Sequence, residues 1–153
     1  MIEKYIETIE SAIESLGVKA SEIRGEENGQ WQIFRGPICL FIDVWTPVHN
    51  TDWNYTVEQS NNTTFQVIAP ITKLPENEKL FSFYEELLHM NMHIYKASLI
   101  ININDRVLAV KFKQLVDGLT EKEVIDALEC VGYYAEMLTE YFVKKYNVKK
   151  ISE

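Results

Sequence analysis

The sequence predicts an α+β fold with the element order α-β-β-β-α-β-β-α. Three observations carry the prediction. Apolar residues recur at helical spacing in three stretches, at 2–16, 77–90 and 121–146. Between them lie five short strand-like runs, grouped as a three-strand meander and a two-strand hairpin. The hairpin, at 97–113, feeds the last helix through Gly118-Leu-Thr-Glu-Lys-Glu123, whose Thr120 and Glu123 have capping-box spacing.

In the first helix Ile2, Ile6, Ile9, Ile13 and Leu16 share one stripe. Glu3, Glu7, Glu10 and Glu14 lie opposite and are read as a solvated acidic face. Gly17 follows the last apolar position, where a left-handed cap is expected. After a polar connector at 18–29, residues 31–34 form a strand and Arg35-Gly36-Pro37 a tight turn. Residues 38–45 return as a second strand. Ile38, Leu40, Ile42 and Val44 point one way, and Cys39, Phe41 and Trp45 the other, with only Asp43 polar. A strand apolar on both faces is covered on both. One side meets the helices, and the other needs a further element, another subunit or a ligand.

Residues 46–63 are rich in turn formers yet carry Val48, Trp53, Tyr55 and Val57. A loop of this length is commonly functional. It reads as a loop tucking Trp53 onto the core, with a short extra strand at 55–58, or as the aromatic lip of a groove. The third strand, 64–71, alternates Phe65, Val67 and Ala69 against Gln66 and Ile68. Pro70 and Pro75 are expected to end it, because a central ladder has no place for proline.

Asn77 is the expected cap of the second helix, with Leu80, Phe81, Tyr84, Leu87 and Leu88 as its buried stripe. Asn91 is its expected left-handed end. The fourth strand carries Leu99, Ile101 and Ile103 on one face, and Asn104-Asp105 forms the hairpin turn. The fifth, 106–113, sends Leu108, Val110 and Phe112 inward and Lys111 and Lys113 outward. The last helix buries Val124, Leu128, Val131, Ala135, Leu138 and Phe142, flanked by Tyr133, Tyr134, Tyr141 and Tyr146. Lys144, Lys145, Lys149 and Lys150 suit the negative end of its dipole.

The chain has 153 residues, 46% hydrophobic and 25% charged, and is read as one domain spanning 1–153. A chain of this size buries roughly 68–70% of its unfolded surface, so it needs no disulfide or metal to fold. The net charge of −8 argues against a nucleic-acid partner, which would need a basic face. The start of the chain lacks a signal-peptide pattern. The longest apolar run, 37–45, contains Asp43 and is too short to span a bilayer. Cys39 and Cys130 lie far apart in apolar contexts and are expected to be reduced and buried in a cytoplasmic protein.

Several segments resemble a known family. They are Pro70-Ile-Thr-Lys-Leu-Pro75, Glu85-Glu-Leu-Leu-His-Met-Asn-Met92, Lys96-Ala-Ser-Leu-Ile-Ile101 and Gly118-Leu-Thr-Glu-Lys-Glu-Val124. With the element order, they resemble the type III secretion chaperone-like fold, and within it the YbjN-type proteins. The resemblance covers essentially the whole chain, most firmly 68–146. It implies a curved antiparallel sheet with helices packed against it, commonly assembled as a homodimer. It also implies binding of extended partner segments along hydrophobic patches. No family motif maps to the loop around Trp53.

No catalytic constellation is visible. His89 and His93 stand four residues apart, with Glu85 one turn earlier, but the helix is expected to end between the histidines. Cys39 and Cys130 lack the electropositive setting of a nucleophile. There is no nucleophile elbow and no phosphate-binding glycine loop. The unassigned residues are apolar: Phe34, Phe41, Trp45, Trp53, Tyr55 and Ile68. A monomer rarely leaves that much apolar surface wet. The expectation is a non-enzymatic, cofactor-free, cytoplasmic homodimer that engages a partner polypeptide through an apolar sheet face. The alternative is a small-ligand sensor or enzyme using 46–63 as a lid.

Overall fold

The computed structural model describes residues 2–46 and 63–151. The helices are α1 (Ile2–Ser15), α2 (Asn77–Asn91) and α3 (Glu121–Tyr146). The strands are β1 (Gln30–Arg35), β2 (Ile38–Trp45), β3 (Thr64–Lys73), β4 (Ser98–Asn102) and β5 (Val107–Leu115). The order matches the α-β-β-β-α-β-β-α expectation. The strands form one antiparallel sheet in the order β1-β2-β3-β5-β4.

Strand register aligns the buried face. Trp31 stands opposite Ile42, Ile42 opposite Val67 and Val67 opposite Phe112, so one buried row crosses four strands. The α3 stripe of Val124, Leu128, Val131, Ala135, Leu138 and Phe142 is buried in the same core. The expected capping box begins α3: Thr120 Oγ1 accepts from the Glu123 N–H at 3.3 Å, and the Glu123 carboxylate accepts from the Thr120 N–H at 2.8 Å. Asn147, at φ 52°, ends the helix in the left-handed region.

The acidic face of α1 is not wholly solvated. Glu10 accepts two hydrogen bonds from Arg24, at 2.7 and 2.8 Å, and one from the Trp31 indole N–H at 3.1 Å. Trp31 is fully buried, and a buried indole needs an acceptor. Glu10 supplies it, and so ties α1 and the connector to the sheet.

β3 continues through Pro70 to Lys73 instead of ending at the proline. The register shifts between Pro70 and Thr72, a bulge that accommodates the missing donor. Past Ile68, β3 has outrun its pairing with β2. There the segment after α3 pairs with it instead: the Lys73 N–H donates to Lys149 O at 2.9 Å, and the Ile151 N–H to Ile71 O at 3.0 Å. Lys150 therefore forms a β-bridge with Thr72, and neither it nor Lys149 is part of the helix end.

The stripe of α2 is rotated from expectation. Phe83 and Leu87 are its buried residues, whereas Phe81, Tyr84 and Leu88 are exposed. The Phe83 ring meets Phe142 and Tyr146 edge-on, with centroids 5.3 and 5.1 Å apart. Asn91 is not left-handed, since Met92 caps the helix in the right-handed region. The Asn91 side chain instead binds both backbone groups of Leu99, at 2.7 and 3.1 Å, fastening the start of β4 to α2. At the hairpin, Asn102 Oδ1 accepts from the Asn104 N–H at 3.1 Å, and the positive φ falls at Arg106. Cys130 is buried, as expected, but Cys39 is only half-buried; both are free thiols.

Two substitutions test this scaffold. Thr120→Ala removes one half of the capping box and should lower unfolding free energy by about 1 kcal/mol in urea titration. Gly29 has φ +85°, and an added Cβ would lie 2.8 Å from Val44 O. Gly29→Ala should therefore destabilise by more than the roughly 1–2 kcal/mol of left-handed strain alone.

Candidate functional site

Alternation along the strands decides what is left outside the core. Residues 39, 41, 43 and 45 of β2, the even positions of β3 and β1, and the odd positions of β5 share the face opposite the buried row. Of the six apolar residues expected on an interaction face, four are described, and all four lie here. Phe34 is 69% exposed, Trp45 is exposed, and Phe41 and Ile68 are half-buried. Phe41 stands directly opposite Ile68, and Phe34 opposite Cys39. Phe34 and Phe41, diagonal neighbours on adjacent strands, line an open hollow of about 720 Å³ with Arg24, Gln32 and Asp43. Trp45 stands two pleats up, with the Lys113 ammonium 5.5 Å from its ring centroid. Trp53 and Tyr55, and the short strand expected at 55–58, lie outside the described residues. At the base of that segment the Thr46 and Thr63 hydroxyls are hydrogen-bonded at 2.8 Å.

Among the polar groups of the same face are Asp43, Gln66 and Lys111. Gln66 Nε2 donates to Asp43 Oδ2 at 3.2 Å, while Gln66 Oε1 is buried and has no hydrogen-bond partner. Lys111 is half-buried beside Ile68 and Ser98. Burial, reinforced by Lys113, pushes its amine below the usual lysine range, with Asp43 pulling weakly the other way. Lys111 makes no hydrogen bond or ion pair with the described residues.

A second apolar surface was not foreseen. Phe81, Tyr84, Leu88 and Met92 form an outward stripe on α2, with Phe81 77% and Leu88 74% exposed. Beside it Ile103, expected on one face with Leu99 and Ile101, is 79% exposed just past the end of β4. Tyr84, Leu88, Asn91, Leu99, Ile101 and Ile103 line a groove of about 380 Å³ between α2 and β4. The sequence did hold a signal: the apolar residues of α2 span a wider arc than the one buried face of Phe83 and Leu87 uses.

Several side chains with acid–base chemistry have structural partners. Glu86 accepts from the Tyr141 and Tyr146 hydroxyls and from Lys145 Nζ at 3.0 Å, locking α2 to α3. Burial pushes its carboxyl up, but these donors outweigh burial and leave it below the usual range. Tyr146 is correspondingly pushed up to about 12 by burial and by Glu86. His89 and His93 meet edge-on at 4.9 Å, with α2 ending between them. Among the described residues no group of three His, Cys, Asp or Glu is placed to hold a metal. Burial raises both thiols, and the Cys130 Sγ–H donates to Tyr95 O at 2.9 Å. Among the described residues no helix is long and apolar enough to cross a membrane.

No protein-family model and no curated protein sequence matches the chain. Solved structures do. A chain of the ExsC–ExsE complex aligns with a TM-score of 0.62 at 11% identity, covering 90% of this chain and 92% of that one. A chain of the HopA1–SchA chaperone–effector complex aligns with a TM-score of 0.61 at 8% identity, covering 89% and 93%. The chain thus shares its fold with these two chains over nearly its whole length.

Glu86 and Glu10 are both held below the ordinary carboxylate value of 4.5. A depressed native pKa adds stability that is complete above the unfolded value and is lost as pH falls through the native one. Melting temperature should therefore be level above about pH 5 and fall below it. Glu86→Gln should melt lower than wild type at neutral pH, with the gap narrowing towards pH 3. A gap independent of pH would contradict the assignment.

Proposed function

We propose that this chain is a non-enzymatic, chaperone-like protein. It holds an extended segment of a partner polypeptide on the outer sheet face and pairs with a second copy through α2 and β4. The carrying observation is the outer face itself, with Phe34, Phe41 and Ile68 side by side on a rigid sheet. Covering one such aromatic ring favours binding by roughly 1.5–3 kcal/mol. Strands spaced about 4.8 Å apart suit an extended chain whose alternate side chains enter successive rows. The likeness to a chain of a chaperone–effector complex supports the reading at the level of fold. The YbjN-type kinship and a cytoplasmic location belong to the same proposal.

The second surface supplies the copy-to-copy contact. Phe81, Leu88, Met92 and Ile103 are too exposed for a free monomer to carry without association. A symmetric pair would bring each stripe against the other's groove.

Light scattering after size exclusion should give a dimer for wild type and a monomer for Leu88→Glu, with circular dichroism unchanged. Fluorescence anisotropy with a permanently unfolded, carboxymethylated test polypeptide should show binding by wild type. Phe34→Asp with Phe41→Asp should weaken it at least about tenfold, the effect of losing one buried aromatic contact. Equal binding by both proteins would remove the sheet face from the function.

A further inference from the structure

The outer sheet face carries two lysines, Lys111 and Lys113, and Lys111 is half-buried with no carboxylate beside it among the described residues. Lys19, Arg24, Arg35, Lys96, Lys145 and Lys150 each have a carboxylate within 4.0 Å. Lys111 is half-buried, and the chain holds 23 acidic residues, yet none of the described ones pairs with it. Asp43, the acidic residue on this face, is two strands away and engaged by Gln66. Lysine on a sheet commonly protects an edge strand. That explanation does not cover Lys111, which is paired with Ile68 of β3 on one side and Ser98 of β4 on the other.

We infer that the outer face selects partner segments carrying an acidic side chain, received at Lys111. This deepens the proposed polypeptide-binding role and rests on it. Lys113 stands two residues on, about 7 Å along the same strand face, with its ammonium over the Trp45 ring. Ile68, opposite Lys111, and Phe41 beyond it take the apolar residues alongside. The fitting occupant is an extended apolar segment with an Asp or Glu in its midst. The net charge of −8 opposes long-range attraction of acidic chains, so Lys111 acts through local contact.

The free protein bears the consequence. A half-buried unpaired cation is unfavourable, so Lys111→Met should melt a few degrees above wild type. The test is selection from a random-peptide library displayed on phage against wild type, Lys111→Met, Lys111→Gln and Phe41→Asp. Peptides selected on wild type should be enriched in Asp and Glu, and those selected on either Lys111 variant should not be. For a selected peptide, replacing its acid by the amide should weaken binding to wild type about fivefold or more and leave binding to Lys111→Met unchanged. Absence of acid enrichment, or equal enrichment on wild type and both Lys111 variants, overturns the inference while leaving polypeptide binding intact. Recovery of the same peptides by wild type and Phe41→Asp overturns the polypeptide-binding reading and this inference with it.

Discussion

The structure depends on the burial of one sheet face against one helix. α3 places a continuous apolar stripe against β2, β3 and β5, and the row of Trp31, Ile42, Val67 and Phe112 completes that core. Because strand side chains alternate, choosing the inner set also chooses the outer one. β2 is apolar on both faces, and its inner residues satisfy α3. Phe41 and Trp45 are left by parity on the other side. The proposed binding surface is in this sense the remainder of the core's own pattern.

α2 extends the same logic with a helical period. Phe83 and Leu87 fix it to α3 and β4, and Glu86 adds a polar lock from the same side. Once those residues face inward, Phe81, Leu88 and Met92 must face out. The Asn91 amide occupies both backbone groups of Leu99, so helix and strand present their exposed residues as one surface. Two apolar surfaces on different elements suit two tasks, self-association and partner binding, without competition.

Much of this was legible in the sequence. Element order, the α3 stripe, the capping box and the two-faced character of β2 followed from local periodicity and spacing, which those residues express directly. What escaped depended on distant residues. Nothing near Glu10 announces that Trp31 needs its carboxylate, and nothing near Glu86 points to Tyr141 and Tyr146. For α2, Phe81 and Phe83 are equally apolar, and only the Phe142 and Tyr146 rings decide which turns inward. Pro70 was read as a terminator because a bulge, and a strand segment arriving from beyond α3, leave no local trace. The apolar surplus on β1, β2 and β3 could be seen as surplus; its assembly into one face with an unpaired Lys111 needed the register.

The central claim is that an extended polypeptide lies on the outer sheet face. Amide and methyl NMR shifts measured during titration with a peptide selected on the wild-type protein test it most directly. The account predicts perturbations at Phe41, Gln66, Ile68 and Lys111, on three adjacent strands, with the α3 core residues unmoved. Perturbations confined to α2 and β4, with those four residues unchanged, would contradict it.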